Sequence, residues 1–580
     1  MRRWIILFFA VFAICTSCAN KGVEIRGWNI LSTNHENAIK VIETAPEYDI
    51  NHLQLSHHLV MDLRHMKDSA RCAEVNFLTD LAHEKGIDEV VIWDHALYKL
   101  SYYPEEFRTG PKGMIDLDNP AFWDWFKNDY REMMALVPNV DGLVLTFIET
   151  GARAEKQYSE RMEDSSSKLA AVINAVSDVV CEELNKKLYV RTFSYTEDEY
   201  VVISECISKL KNKDIVLMMK ETPHDFFLTH TDNSLVKEFP NKTLMEFDAG
   251  NEFNGQGVII NTWPEHFIKR WNAFKDLDNV CGYVARTDRY KTTHVIDSPS
   301  EILLLTLKEY TQNNNVTADE IYDEFIVNRY GVAALPYLKP AFQSAYDIVT
   351  SVLYTLGTNS ACHSGLNYEP YSSSYNRHVS GKWIDPPTVF VKHNINKEFH
   401  YWKDVVEHLS PGRFKDANGM LKIEYPRALK ENWVTPSEQI NSEYLKYVYT
   451  EKLYGINLAE KALELIQEAK NVLEYDKYVE LNDIYERTLL TAKLHKATFT
   501  AILGYRLYVK NNGELDNESK RILEESLSEI PVISQEISNR PGTYPVGQWD
   551  WKRDAREAMK YYDKMTNTGW KDYNNVKYVK

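Results

Sequence analysis

The side chains able to do chemistry gather just after short apolar, β-branched runs. Trp93-Asp94-His95 closes one run, and Glu149 follows the almost wholly apolar stretch Leu143 to Ile148. Arg191 ends the next, Lys220, Glu221 and Asp225 follow the sixth, and Asp248 and Glu252 the seventh. Arg286, Asp288 and Arg289 follow the eighth. Carboxylates and cations thus recur at one kind of position, with no cofactor motif among them. Taken singly, each could be a structural ion pair. Together they suit hydrolysis of a glycosidic bond, which needs a protonated carboxylic acid for the leaving oxygen and an ionised carboxylate for water or the anomeric carbon. Environment must push their pKa values apart, by burial on one side and by cations on the other. The apolar approach to Glu149 suits the acid. The polar loops of Asp225 and Glu252, near Lys220 and Arg191, suit ionised partners.

Eight runs supply these positions: residues 27–31, 52–56, 89–94, 142–147, 188–193, 215–220, 243–247 and 282–286. Amphipathic stretches separate them, among them 70–84, 121–134, 165–184 and 298–310. The second of these starts with Asp118 or Asn119 as cap and Pro120 in the first turn, a helix-start signal. Strands apolar on both faces and alternating with helices predict a parallel sheet, and eight units in this length predict a (β/α)8 TIM barrel. The alternative, an open doubly wound sheet, lacks its Gly-rich phosphate turn after the first strand. Barrel enzymes carry their chemistry at the C-terminal strand ends, which is where these residues fall.

The expected organisation is a signal peptide over residues 1–17, a linker over 18–26, the catalytic barrel over 27–335, a loop-rich segment over 336–440 covering the barrel mouth, and an all-helical C-terminal domain over 441–580. Long amphipathic helices are expected at 443–471, 476–510 and 517–538. The N-terminus reads Arg2-Arg3, an apolar run from Trp4 to Ile14, then Cys15-Thr16-Ser17-Cys18, the make-up of a secretory signal. Its end resembles a bacterial lipobox, which implies acylation of Cys18 and a lipid-anchored protein in the periplasm or at the cell surface of a Gram-negative bacterium. A net charge of −17 with no basic stripe argues against nucleic acid. No Cys-x-x-Cys pair survives beyond the signal, so neither metal nor cofactor is expected. The chain has 36 Tyr and 13 Trp, rings whose flat faces pack against sugars as well as in cores. An oligosaccharide is the expected partner, and the long C-terminal helices offer a homodimer interface.

An ordered series of motifs resembles the α-glucuronidases of glycoside hydrolase family 67. It begins with Leu117-Asp118-Asn119-Pro120 and Trp123, then Ala135-Leu136-Val137-Pro138-Asn139-Val140-Asp141-Gly142 and Glu149-Thr150-Gly151. Lys220-Glu221-Thr222-Pro223-His224-Asp225-Phe226 follows, then Leu244-Met245-Glu246-Phe247, Asn251-Glu252-Phe253 with Gln256, and Thr287-Asp288-Arg289-Tyr290. The segment 317–331, with Ala318-Asp319-Glu320-Ile321, continues the pattern after the barrel. The resemblance implies exo-acting removal of glucuronic acid, or its 4-O-methyl ether, from xylan-derived oligosaccharides with inversion. It implies Glu149 as general acid, Asp225 and Glu252 as the carboxylates activating water, and Arg191 and Lys220 as cations contacting the sugar acid. Trp93, Asp94, Asp288 and Arg289 complete the expected substrate-binding set. Two features depart from the family: its extra α/β domain ahead of the barrel is missing between Cys18 and the first strand, and Leu145 stands where the family has a lysine. Alternation predicts that Leu145 points into the barrel, which would favour a relative acting on a neutral or amino sugar. A non-catalytic glycan-binding lipoprotein is the remaining alternative.

Overall fold

The computed structural model describes residues 23–147, 150–193, 197–223, 225–229, 231–255, 257–355, 358–359, 365–366, 441–541, 545–546 and 549–566. Glu149, the lipobox with Cys18, and most of the segment 336–440 lie outside them.

Eight parallel strands close into a barrel in sequence order: β1 (Ile25–Ile30), β2 (His52–Leu55), β3 (Glu89–His95), β4 (Gly142–Thr146), β5 (Lys187–Arg191), β6 (Val216–Lys220), β7 (Thr243–Asp248) and β8 (Val280–Arg286). Every expected run is a strand, and each end lies within two residues of the expected one. Helices α1 (His35–Thr44), α2 (Ser69–Glu84), α3 (Pro120–Ala135), α4 (Ser165–Ser177), α5 (Glu197–Ser208), α6 (Pro264–Asn272) and α7 (Glu301–Gln312) wrap the barrel. Among its described residues, the β6–β7 crossover carries only a 3-10 helix, Ser234–Glu238. Asn119 is the cap of α3, its side chain accepting from Ala121 N, with Pro120 in the first turn. Beyond Ser177 the expected long helix becomes a π-helical turn, Asp178–Glu183.

After the barrel come α8 (Ala318–Tyr330), α9 (Leu335–Gln343) and α10 (Ala345–Val352). Thr317 and Glu320 form a reciprocal capping box at the start of α8, which satisfies two otherwise orphaned N–H groups. Helices α9 and α10 correct the expectation of loop from residue 336: apolar side chains such as Leu338, Phe342, Ile348 and Val349 are buried there. Helices α11 (Ser442–Glu468), α12 (Tyr475–Lys510), α13 (Asn517–Asn539) and α14 (Trp551–Thr566) form the helical C-terminal region. No helix among the described residues is long and apolar enough to cross a membrane.

This region buttresses the barrel mouth. Arg487 on α12 donates to Val258 O at 2.7 Å, and the Thr488 hydroxyl accepts from Ile260 N at 3.1 Å. Tyr354, just past α10, donates to Asn254 Oδ1 at 2.6 Å and accepts from Leu228 N at 3.0 Å, tying the loops after β6 and β7 together. Lys452 on α11 is buried and donates to the carbonyls of Ser351 and Val352 at 2.9 and 3.0 Å.

Two apolar layers coat the barrel wall. Val91, Trp93, Val144, Tyr189, Met218, Leu244 and Val284 pack inside it. Leu143, Leu145, Phe147, Val190, Leu217, Met219, Met245, Phe247 and Ala285 pack outside, against the helices. Leu145 therefore faces the helix layer, opposite to the expected direction. Its register partner on β3 is Asp94, which shares that outward face.

Candidate active site

The inward rows of β5 to β8 end in ionisable groups that meet at the C-terminal mouth. Arg191 (β5) donates through Nε to Glu246 Oε2 at 2.7 Å. Arg286 (β8) donates to Glu246 Oε1 through Nε at 3.0 Å and Nη2 at 2.8 Å. Glu246 (β7) is wholly buried. Burial alone would raise its pKa, but Arg191, Arg286 and Lys220 outweigh it and hold the carboxyl down at about 2. Arg286 continues through Nη1 to Glu252 Oε2 at 2.5 Å, and Arg289 Nε lies 2.8 Å from Glu252 Oε1. Lys220 (β6) donates to Asp225 Oδ1; burial lowers the Lys220 pKa more than Asp225 restores it.

Local turns set these carboxylates in place. The Thr222 hydroxyl donates to the carbonyl of Asp225 at 2.7 Å, and Asn233 Nδ2 to that of Lys220 at 2.9 Å, so a side-chain-closed turn aims Asp225 back at the strand it left. Asp248 accepts the backbone N–H of Glu252 at 2.7 Å, capping the loop that presents Glu252. Burial and the Glu252 charge raise Asp248 against the pull of Arg286, to about 6. On the β4 loop, Gly151 passes so close to Tyr98 and Lys99 that a Cβ would fall 2.8 Å from Lys99 Cα. Any larger residue would displace the loop that follows Glu149.

Aromatic groups line the floor. Trp93 donates Nε1–H to Gln54 at 2.9 Å, and the Arg191 guanidinium lies 4.9 Å from its ring. Lys220 Nζ lies 3.7 Å from the Phe193 ring, and Arg286 4.7 Å from that of Phe226, contacts that offset part of the cost of burying cations. His57 packs 4.8 Å from Trp93 and holds a left-handed φ of 51°. Burial, then Arg289 and Arg286, push its pKa well down, so its ring is neutral at neutral pH. Such backbone strain tends to collect at functional sites.

Of the expected residues, the structure brings together Arg191, Lys220, Asp225, Glu252, Arg289 and Trp93. Two are spent elsewhere. Asp94 lies outside the barrel wall, where Arg64 Nη1 donates to both its oxygens at 2.8 and 3.0 Å and Tyr130 donates at 2.6 Å. Asp288 latches β8 to the loop after β1: it accepts Leu31 N at 2.7 Å, the Ser32 hydroxyl at 2.6 Å and Asn37 Nδ2 at 3.2 Å. Sequence reasoning left out Glu246, the hub of the cluster, and His57. Glu246 shares inward parity with Leu244 and Asp248, a signal present in the sequence. The strain at His57 leaves no trace there.

Four cations, Arg191, Lys220, Arg286 and Arg289, thus meet three carboxylates paired with them: Glu246, Asp225 and Glu252. Some hydrogen-bonding capacity stays unspent, at Arg289 Nη1, Asn29 Nδ2 and Asp248 Oδ1. Such a site can take an anionic group with several oxygens, and it holds carboxylates able to orient a water.

No family model matches the sequence, and no curated protein matches it. A GH138 enzyme targeting pectin rhamnogalacturonan II overlays 94% of this chain at 12% identity with a TM-score of 0.54. This chain covers 63% of that structure, under two thirds of its length, and the likeness is one of fold. A GH115 4-O-methyl-α-glucuronidase with specificity for decorated arabinogalactans overlays 93% of the chain, and 61% of its own, at 10% identity and a TM-score of 0.46. The likeness to the GH138 enzyme is one of fold alone, so the family 67 resemblance rests on the sequence motifs.

Proposed function

We propose that the protein is an exo-acting, inverting glycoside hydrolase that releases a terminal uronic acid from plant-polysaccharide oligosaccharides. The surplus of cations over paired carboxylates at the barrel mouth carries this reading. A uronate carboxylate supplies the missing negative charge, and planar guanidinium groups bind such a carboxylate with directional hydrogen bonds. The outward position of Leu145 removes the observation that favoured a neutral or amino sugar. In this reading Glu149, which follows β4 in the sequence, protonates the leaving oxygen. Asp225 and Glu252, on the loops after β6 and β7, orient and deprotonate the attacking water. Each is tied to a cation, and a carboxylate oxygen that accepts one hydrogen bond keeps a second lone pair for water. Inversion asks for about 6.5–9.5 Å between acid and base. The proposal includes acylation at Cys18, which radiolabelled palmitate incorporation into wild type but not Cys18→Ser would support.

The test is release of free uronic acid from glucuronic-acid-capped xylooligosaccharides by wild type and by Glu149→Gln. We expect release by wild type and a loss of about 10²–10⁴-fold in the variant, with the α-uronoside yielding the β-anomer first by NMR. An inactive wild type on all uronic-acid-capped substrates, or an unimpaired Glu149→Gln, would overturn the assignment.

A further inference from the structure

Beside the mouth, on the far side of the loop that carries Glu252, lies a second cleft of about 500 Å³. The loops after β1, β7 and β8 form one wall and helix α12 the other, through Glu480, Asp483, Ile484 and Arg487. None of the mouth residues Arg191, Lys220, Asp225, Glu246 or Arg286 lines it.

Three buried side chains lining this cleft have an oxygen with no partner among the described residues: Asn251 Oδ1, Asn261 Oδ1 and Thr293 Oγ1. Their exposures are 1%, 1% and 4%. The amide orientations are fixed by chemistry. Asn251 Nδ2 lies 2.7 Å from the carbonyl of Ala249, and Asn261 Nδ2 2.7 Å from that of Asn254. A carbonyl only accepts, so each NH₂ must face it and each amide oxygen must face the other way. Buried acceptors left unpaired are costly and uncommon in native proteins, and Asn251 also carries a left-handed φ of 57°.

The cationic side chains among the described residues lining the cleft are already matched. Lys40 pairs with Asp297, and Arg487 with Asp483 and the carbonyl of Val258. Burial, then Lys40, lowers the pKa of His294, so its ring is neutral at neutral pH. The cleft therefore calls for hydroxyl donors and offers no spare cation for an anion.

We propose that this cleft is a second saccharide site, which binds a neutral polyhydroxylated sugar through its hydroxyl groups and is separate from the uronate-binding mouth. It goes beyond the catalytic reading and does not depend on it. Asn251 is the chain neighbour of Glu252, so a sugar held there pins the loop that presents that carboxylate.

The test is calorimetric titration of the full chain with xylotriose, cellotriose and mannotriose, in the Glu149→Gln background, with and without saturating free glucuronate. We expect at least one trisaccharide to bind with glucuronate present, weakened about five- to tenfold by Thr293→Val and by Asn261→Ala. Thr293→Val is close to isosteric and loses no protein hydrogen bond, so its melting temperature should stay within 2–3 degrees, roughly, of the parent or rise. The proposal is overturned if none of the three binds up to millimolar concentration. Binding that glucuronate displaces and both cleft variants leave unaltered overturns it as well.

Discussion

The two ends of the barrel interior each bury a glutamate held near pKa 2, yet they are built to different ends. At the bottom, Glu89 accepts from His52 at 3.1 Å, from the Tyr189 hydroxyl at 2.5 Å and from Lys187, and these bonds outweigh burial to bring it to about 2. Apart from the exposed Lys187, its partners are the ring groups of His52 and Tyr189, and both carboxylate oxygens are engaged. At the mouth, Glu246 reaches about 2 through three cations. Those cations go on to Glu252 and Asp225, and acceptors and donors around them remain unspent. A closed network at the N-terminal end and an open, cation-rich one at the C-terminal end match the division of barrels into a face for stability and a face for chemistry. The difference teaches where to look for substrate: a satisfied buried network closes the barrel, whereas one with charge and hydrogen bonds to spare awaits a partner.

The sharpest way to break this comparison is to neutralise both glutamates. Glu246→Gln leaves Arg191 and Arg286 buried against a group that cannot balance them. Removing one partner of a buried ion pair costs about 3–5 kcal/mol, and uronic acid release should be abolished. Glu89→Gln keeps an acceptor for Tyr189 and should cost about 1–3 kcal/mol, with kcat/KM within a factor of about two of wild type at temperatures where both are folded. Denaturant unfolding with parallel kinetics checks both. Because each carboxyl is held below its ordinary 4.5, at about 2, its stabilisation is present above pH 4.5 and lost as pH falls from there through about 2. Each Gln variant should therefore lose part of the wild type's pH dependence in that window. Equal losses of activity in the two variants would sink the division of labour.

A smaller effect follows from Asp248. Its carboxyl is raised from 3.8 to about 6, so it ionises within the working range and then cancels the spare positive charge of the mouth. KM for a uronic-acid-capped substrate should rise about tenfold between pH 5 and pH 7, with kcat changing less, and Asp248→Asn should flatten that rise. Stability runs in step. A carboxyl whose folded pKa is raised destabilises the fold progressively as pH climbs from about 4 through about 6, by up to about 3 kcal/mol. The Asn variant should accordingly equal or exceed wild type in stability above pH 7. A KM profile unchanged by the substitution would show that Asp248 is not coupled to the anion site.

The same inside–outside logic explains what the sequence could and could not reveal. Eight strands were legible because apolar β-branched runs between helices leave a parallel barrel as the simplest architecture. The long helices α11, α12 and α13 were legible from amphipathic periodicity. Which residues of a strand face inward was legible only where polar groups mark the inner row, as with Gln54, Glu89, Arg191, Lys220 and Glu246. On β4 no such mark exists: Val144 and Leu145 are both apolar and both wholly buried, because a barrel strand is covered on both faces. Asp94, expected at the site with Trp93, lies on the same outward face as Leu145. These residues are register partners, and a shift of one residue in phase moves the whole row from one face to the other. Asp288 was misplaced for another reason: it sits beyond the end of β8, where the turn rather than strand alternation sets side-chain direction. The helices α9 and α10 were obscured by Pro340 inside the first of them and by the Gly-, Ser- and Tyr-rich sequence that follows.

The phase of β4 leads to the smallest effect, and to the one that most directly tests the inner and outer rows. Leu145 packs with Leu143 and Phe147 in the layer between strand and helices. Leu145→Met changes shape at nearly constant volume and should cost less than about 1.5 kcal/mol. It should leave KM and kcat for uronic acid release within a factor of about two. The inward neighbour Val144 belongs to the interior layer with Trp93 and Tyr189, and Trp93 in turn lies beneath Arg191. Val144→Ala opens a cavity there, costs about 1–3 kcal/mol, and loosens the floor on which Arg191 rests, so KM should rise more than in the Leu145 variant. If Leu145→Met instead shifts KM strongly while Val144→Ala does not, the phase of β4 is inverted, and with it the argument that Leu145 has no say in which sugar is bound.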